Sequence, residues 1–313
     1  MARILTVTLN PALDLTVRLT HLEVGQVNRC EAQLTHAAGK GLNVAQVLCD
    51  LGHQLTVAGF LGCDNPQAFE ALFAKRGFGD EFVRVAGETR INIKLAEGNG
   101  RITDLNGPGP IVSQEAQQAL LARLETIAPA HDLMVIAGSL PRGVSPDWLG
   151  GLIERMNALG VKVALDTSGP ALRAGIAAAP WLIKPNTEEL AEAIDTPVVS
   201  VAAQAEVARQ LHTQGIEQVV ISQGAEGVHW FSARQALLAV PPRVTVASTV
   251  GAGDSLLAGV VHGLISGWPA ERTLRCATAI AAMAVTQIGF GISDTAQLAR
   301  LESAVHVRAL TEE

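Results

Sequence analysis

Cysteine is scarce in this chain, basic charge is outnumbered, and no long apolar run occurs. The four cysteines, Cys30, Cys49, Cys63 and Cys276, form no CxxC pair, and no histidine spacing beside them completes a zinc site. They read as reduced thiols of a cytoplasmic protein. Lys plus Arg number 23 against 30 Asp plus Glu, a net charge of −7, and no basic block stands out. A nucleic-acid partner is therefore not expected. An anionic ligand would have to be held by local groups, because the field of the whole molecule opposes it. No stretch reaches the roughly 18 apolar residues of a membrane helix, so no membrane partner is expected. The alanine-rich run 277–285 reads as a buried helix instead. The first residues break at Pro11 and carry Asp14, without the apolar length or cleavage site of a signal peptide. Neither common nucleotide fingerprint is intact. Where a G-x-G-x-x-G would follow the first apolar run, Asn10-Pro11-Ala12 stands. Ala38-Gly39-Lys40-Gly41 fails as a P-loop: Leu34 replaces the first glycine, and Gly41 replaces the Ser/Thr that would hold magnesium.

What is present is a large apolar fraction ordered into alternating elements. Hydrophobic residues make up 48% and charged ones 17% of 313 residues, enough for one sizeable core. The β-branched run 4–9 predicts a buried strand with a functional loop after it. From 131 onward strands (133–137, 161–165, 181–183, 219–222) alternate with helices (146–159, 204–214). A helical tail then spans 253–287, broken at Gly267-Trp268-Pro269. A strand-like run is also expected at 244–247. This rhythm predicts an α/β fold with a doubly wound, mainly parallel sheet. Segments 13–37 and 90–106 differ. Leu13, Leu15, Val17 and Leu19 alternate with polar residues, as do Ile91, Ile93 and Leu95. The two segments are expected to pair as a small antiparallel β-sheet lid, inserted into a single domain spanning 1–313. In an open parallel sheet, ligands sit beyond the carboxyl ends of the strands. Asp14, Ser139, Lys184 and Ser222 all fall at or beyond such ends.

Four motifs carry candidate chemistry. Ser248-Thr249-Val250-Gly251-Ala252-Gly253-Asp254-Ser255 opens a helix rich in small residues. Its glycines let backbone N–H groups approach a ligand, and a helix N-terminus favours anions. Asp254, in the first turn, is a candidate base for an attacking hydroxyl, or else only a helix cap. Gly39-Lys40-Gly41 reads as a flexible hinge between lid and helix, with Asn43 one turn in; a simple turn with a solvated lysine is the alternative. Lys184-Pro185-Asn186-Thr187-Glu188-Glu189 puts Pro185 at a helix start and Asn186 and Glu189 three apart on one face. That pair suits either the orienting of waters around Mg²⁺ or a capping arrangement. Ser222-Gln223-Gly224-Ala225-Glu226-Gly227 suits either a nucleotide-facing loop or a tight hairpin turn.

Together and in this order, these motifs resemble the ribokinase-like sugar kinases of the phosphofructokinase B family, over nearly the whole chain. Segment 39–62 looks like that family's first glycine-rich pattern and 248–261 like its second. Thr8-Leu9-Asn10-Pro11-Ala12 with Asp14, Thr89-Arg90-Ile91-Asn92-Ile93-Lys94, and Gly138-Ser139-Leu140-Pro141 add to the likeness. The resemblance implies a ribokinase-like fold and ATP-dependent phosphorylation of a sugar phosphate. Fructose 1-phosphate, accepting on its C6 hydroxyl, is the preferred substrate; tagatose 6-phosphate and fructose 6-phosphate are alternatives. A non-catalytic sugar-phosphate sensor is the alternative outside the enzymes. By the same likeness Asp254 would be the base, with the amides of Gly251, Ala252 and Gly253 as its anion hole. Asp14, Asn43 and the backbone of Gly39 would hold the sugar, and Lys40 and Arg90 its existing phosphate. Asn92, Asn106 and Ser139 would lie on the substrate side. Lys184, Ser222, Gly224, Gly227 and Thr249 would line the ATP site, and Asn186 and Glu189 would organise Mg²⁺. A monovalent cation near the second glycine-rich motif and a homodimer formed through the β lid are further implications.

Overall fold

Fourteen strands form among the residues that the structure, a computed structural model, describes (1–287 and 289–310). They are β1 (Arg3–Thr8), β2 (Ala12–Leu19), β3 (Ala32–Ala38), β4 (Gln54–Gly62), β5 (Gly79–Val85), β6 (Arg90–Glu97), β7 (Ile102–Asn106), β8 (Leu133–Ala137), β9 (Val163–Asp166), β10 (Leu182–Ile183), β11 (Gln218–Ser222), β12 (Val228–Ser232), β13 (Gln235–Val240) and β14 (His306–Ala309). Ten make one sheet in the order β14-β13-β12-β11-β10-β9-β8-β1-β4-β5. From β5 to β11 every neighbouring pair is parallel; β12, β13 and β14 close that edge antiparallel. The doubly wound, mainly parallel sheet expected from the strand–helix rhythm is what forms.

A parallel sheet needs cover on both faces, so its strands are apolar on both sides. Successive residues of β1 show this. Ile4 belongs to one cluster with Leu42, Val44, Leu256, Leu257 and Leu274, from the helices Lys40–Asp50, Ala252–Ile265 and Ala270–Ala284. Leu5 and Val7 belong to a second cluster with Leu120, Leu149, Leu172 and Leu211, from helices on the opposite face. The alanine-rich run lies in the helix Ala270–Ala284, which is buried as expected. Its small residues match Gly259 and Gly263 of the neighbouring helix, where an added Cβ would strike Ala277 and Thr273. No helix among the described residues is long and apolar enough to cross a membrane.

The remaining four strands make a second sheet in the order β3-β2-β6-β7. Here the expected strand direction is corrected. The segments at 13–37 and 90–106 do meet, but β2 and β6 run parallel, with Asp14 opposite Asn92. Their antiparallel partners are β3 and β7. The main sheet explains the direction. β2 follows the carboxyl end of β1 and β6 follows that of β5, two strands of one parallel array, so both leave it the same way. Alternation reports one polar face and carries no information about direction. The strand expected at 244–247 does not form either. The segment is irregular, Val246 is exposed, and Ala247 and Ser248 donate to the Val285 carbonyl at 2.7 and 3.2 Å. Its natural partner, β13, is already paired on both edges by β12 and β14.

Candidate active site

The helix Ala252–Ile265 begins from Gly251, whose φ of 82° places it in the left-handed region. A glycine is favoured there by backbone conformation. It is required by space as well, because a Cβ would lie 2.6 Å from the Phe290 ring. Asp254 follows in the first turn and is buried. Asn43 Nδ2 donates to Asp254 Oδ2 at 2.7 Å, fixing the carboxylate from the first turn of the helix Lys40–Asp50. Burial above all, and then the negative charge of Asp166, push the Asp254 carboxyl up to about 6. The Asn43 hydrogen bond and the Lys40 and Lys184 ammonium groups oppose that rise.

Gly39 and Gly41 hold the second helix in place by contact. Gly39 has φ of 142°, and a Cβ on either glycine would run into Thr8 of β1. The glycines are where the helix start presses on the strand, so close approach requires them whether or not the segment also acts as the expected hinge. Lys40 between them reaches Asp166 Oδ1 at 3.4 Å, and Lys184 reaches Asp166 Oδ2 at 3.1 Å. Asp166 stands at the carboxyl end of β9 with its side chain 1% exposed. Its charge is the main reason the Lys40 pKa rises, overcoming burial.

The second sheet supplies the opposite wall. Asn92 Nδ2 donates to Asp14 Oδ1 at 3.1 Å, and Lys94 lies 3.8 Å from Asp14 Oδ2 and 3.2 Å from Asp104 Oδ1. Arg90 spends two N–H groups on the backbone, donating to the carbonyls of Asn10 (3.0 Å) and Pro11 (3.3 Å). Buried acceptors Asn43 Oδ1 and Asn92 Oδ1 have no partner among the described residues. Such orphaned acceptors in a polar cavity suit the hydroxyl donors of a polyol.

These groups surround one cavity of about 400 Å³. It brings together Asp14, Gly39, Lys40, Asn43, Arg90, Asn92, Lys184, Asn186, Glu189, Ser222, Gly251, Gly253 and Asp254. Ala252, Thr249, Asn106, Ser139, Gly224 and Gly227 do not line it. Asn106 is opposite Asn92 in β7 but exposed, and Ser139, also exposed, accepts from Asn10 Nδ2 at 3.1 Å. Gly224 starts a short 3₁₀ turn and Gly227 ends it, inside the β11–β12 hairpin. A Cβ on Gly227 would strike the Ala239 carbonyl, so this glycine serves strand packing. Asn186 and Glu189 form a reciprocal capping box of the helix Thr187–Ile194, at 2.7 and 2.9 Å. Pro185 thus precedes the cap and is not the first helical residue. Two wall residues had not been singled out in the sequence, Asp166 and Lys94. The end of the apolar strand 161–165 marked Asp166; the polar face of 90–106 marked Lys94.

Among the described residues no group of three or more His, Cys, Asp or Glu stands ready to hold a metal ion unaided. The carboxylates on the cavity are oxygen donors in small number. That fits magnesium, which keeps most of its waters and takes one or two carboxylates together with substrate phosphates.

Residues 7–297 match the model of the pfkB family of carbohydrate kinases. The chain is 47% identical over 308 residues to a 1-phosphofructokinase of Vibrio cholerae, covering 98% of this chain and 97% of that protein. Two solved structures of phosphofructokinase-2 from Escherichia coli, a tetrameric inhibited form and a complex with potassium, superpose with TM-scores of 0.89 and 0.88. Each is 26% identical to the chain and covers 97% of it, with 99% of the other chain matched.

Proposed function

The chain belongs to the pfkB family of carbohydrate kinases, and from that premise we infer that it is an ATP-dependent kinase converting fructose 1-phosphate to fructose 1,6-bisphosphate. The observation that carries the reading is the buried Asp254 at a helix N-terminus, in a cavity walled by cations and unpartnered acceptors. A carboxyl titrating at about 6 is ionised at neutral pH, yet basic enough to take a hydroxyl proton.

In this reading the C6 hydroxyl gives its proton to Asp254 as its oxygen attacks the γ-phosphorus. The bond to the bridging β,γ-oxygen breaks, ADP leaves, and Asp254 returns the proton to solvent. The first-turn amides at Gly251–Gly253, with Ala252 contributing only its backbone, bind the oxygens of the group in flight. Asp14, Asn43 and Asn92 hold the sugar hydroxyls, Lys40 and Arg90 its phosphate, and Lys184 the nucleotide phosphates. Ser139 and Asn106 stand outside the cavity and would join only if the second sheet closes as a lid. Thr249 and the 222–227 turn would reach the nucleoside rather than the phosphates. Asn186 and Glu189 would hold Mg²⁺ largely through water; when bound, it neutralises phosphate charge. The potassium complex of phosphofructokinase-2 supports a monovalent cation as a further ligand. The second sheet leaves Leu34, Ile102 and Leu105 more than half exposed. That apolar surface supports a homodimer through the lid, and ATP as co-substrate supports a cytoplasmic location.

The test is an ADP-release assay with ATP and Mg²⁺, comparing fructose 1-phosphate, fructose 6-phosphate, tagatose 6-phosphate and fructose. Preference in kcat/KM for fructose 1-phosphate is expected. Preference for a 6-phosphate would keep the Asp254 chemistry and reverse the sugar, and no turnover would favour a sugar-phosphate sensor.

A further inference from the structure

Two lysines of the cavity wall converge on one carboxylate that neither glycine-rich motif contains. Asp166 Oδ1 takes Lys40 and Asp166 Oδ2 takes Lys184, with the carboxylate 1% exposed. The three groups come from separate places in the chain: the end of β9, the residue after β10, and the start of the helix Lys40–Asp50. The Lys184 ammonium also borders the catalytic turn, since a Cβ on Gly253 would lie 3.3 Å from its Nζ.

We propose that Asp166 is a positioning residue: its carboxylate ties Lys40, on the acceptor side, to Lys184, on the nucleotide side, so that two phosphate-gripping ammonium groups share one counter-ion. This rests on the kinase reading above. A buried ammonium without an anion loses its proton or costs stability, and a bare carboxylate here would repel phosphates. One anion between two cations resolves both. Two ammonium groups sharing one carboxylate leave the triad one net positive charge for the phosphates. When a phosphate draws one lysine away, Asp166 remains paired with the other, so its charge is never left facing the substrate alone.

The arrangement has a signature at Asp254. The groups facing that carboxyl are Asp166, which raises its pKa, and Asn43, Lys40 and Lys184, which lower it. Neutralising Asp166 and neutralising Lys40 must therefore move the acid limb of the kcat/KM profile in opposite directions. The experiment measures that profile with fructose 1-phosphate, at several Mg²⁺ concentrations, for wild type, Asp166→Asn and Lys40→Met, with folding checked by circular dichroism. We expect Asp166→Asn to lower kcat at least tenfold at saturating Mg²⁺ and to shift the limb to lower pH. Lys40→Met is expected to shift it to higher pH. A folded Asp166→Asn enzyme with an unmoved limb, or one restored by extra Mg²⁺ as a lost metal ligand would be, overturns the proposal. Should Asp166→Asn fail to fold, an unmoved limb in Lys40→Met overturns it. Wild-type turnover with unmoved limbs sinks this proposal alone; no wild-type turnover of any ketohexose phosphate sinks the kinase reading and the proposal with it.

Discussion

Asp254 and Arg90 illustrate how differently two site residues can be tested. With Asp254 as the proposed base, Asp254→Asn should lower kcat by about 10² to 10⁴, the scale of acid–base assistance, with KM for either substrate changed far less. If Asp254 is the base, its ionised form is the active one, and with its carboxyl pushed up to about 6 kcat/KM should be flat above that value. Below it, kcat/KM should fall about tenfold per pH unit; a wild-type profile still flat at pH 5 would remove Asp254 from the role. Arg90 already donates to two backbone carbonyls, so it holds the loop after β1 as well as facing the cavity. Arg90→Ala should raise KM for the sugar phosphate by roughly tenfold to a hundredfold, the worth of charge-assisted bonds. Arg90→Lys should recover little, because an ammonium cannot span both carbonyls and a phosphate; an unchanged KM in steady-state assays would count against it. Legibility at this scale followed punctuation. Asp254 and Lys40 sit beside glycines, Asn43 two residues after one, and Lys184 beside a proline, so local sequence marked them. Asp166 ends an ordinary apolar strand, and what sets it apart is the pairing with two lysines distant in the chain.

Helices and strands were readable where burial has a period, and misread where partners decide. The helices Ala252–Ile265 and Ala270–Ala284 announce themselves by small residues and the Gly267-Trp268-Pro269 break. The parallel β2–β6 pairing and the unpaired 244–247 segment depend on which edges are free, a property of the assembled sheet. The glycines around Lys40 show the same limit, since flexibility and close approach look alike in sequence. Substitution separates them. In a helix interior, glycine to alanine ordinarily stabilises by up to about 1 kcal/mol. At Gly41 the new methyl would press on Val7 O, 2.9 Å away, and on Thr8. Gly41→Ala should therefore destabilise by about 1–3 kcal/mol and displace Asn43 from Asp254. Urea unfolding should show a lower midpoint with unchanged slope; a raised midpoint would return the segment to a hinge.

The whole molecule joins the helix Ala252–Ile265 to the amino-terminal end of the main sheet through a histidine pair. The Ala2 amide donates to His53 Nδ1 at 3.2 Å, so His53 carries its proton on Nε2 and donates to His262 Nδ1 at 2.8 Å. His262 lies in the last turn of the helix that Asp254 begins, and its other face meets Trp268 edge-on. Protonating His262 Nδ1 would destroy this chain of bonds. Burial, then the neighbouring His53, accordingly pull its pKa from 6.5 down to about 4. Between those values the unfolded chain binds a proton that the folded one refuses, so this contribution is complete above about pH 6.5 and disappears as pH falls towards 4. Asp254 opposes it. Its carboxyl is raised from 3.8 to about 6, so the folded state takes up a proton earlier than the unfolded one and gains stability as pH falls through that range. The two ends of one helix thus pull the acid stability of the molecule in opposite directions. Replacing either group should expose the other. From pH 7 to pH 5, His262→Gln should lose less stability than wild type, by on the order of 1 kcal/mol once solvent access to the ring is allowed for. Asp254→Asn should lose more than wild type. Unfolding midpoints measured at both pH values decide the matter, and parallel curves for wild type and His262→Gln would show that the pair carries no titrating load.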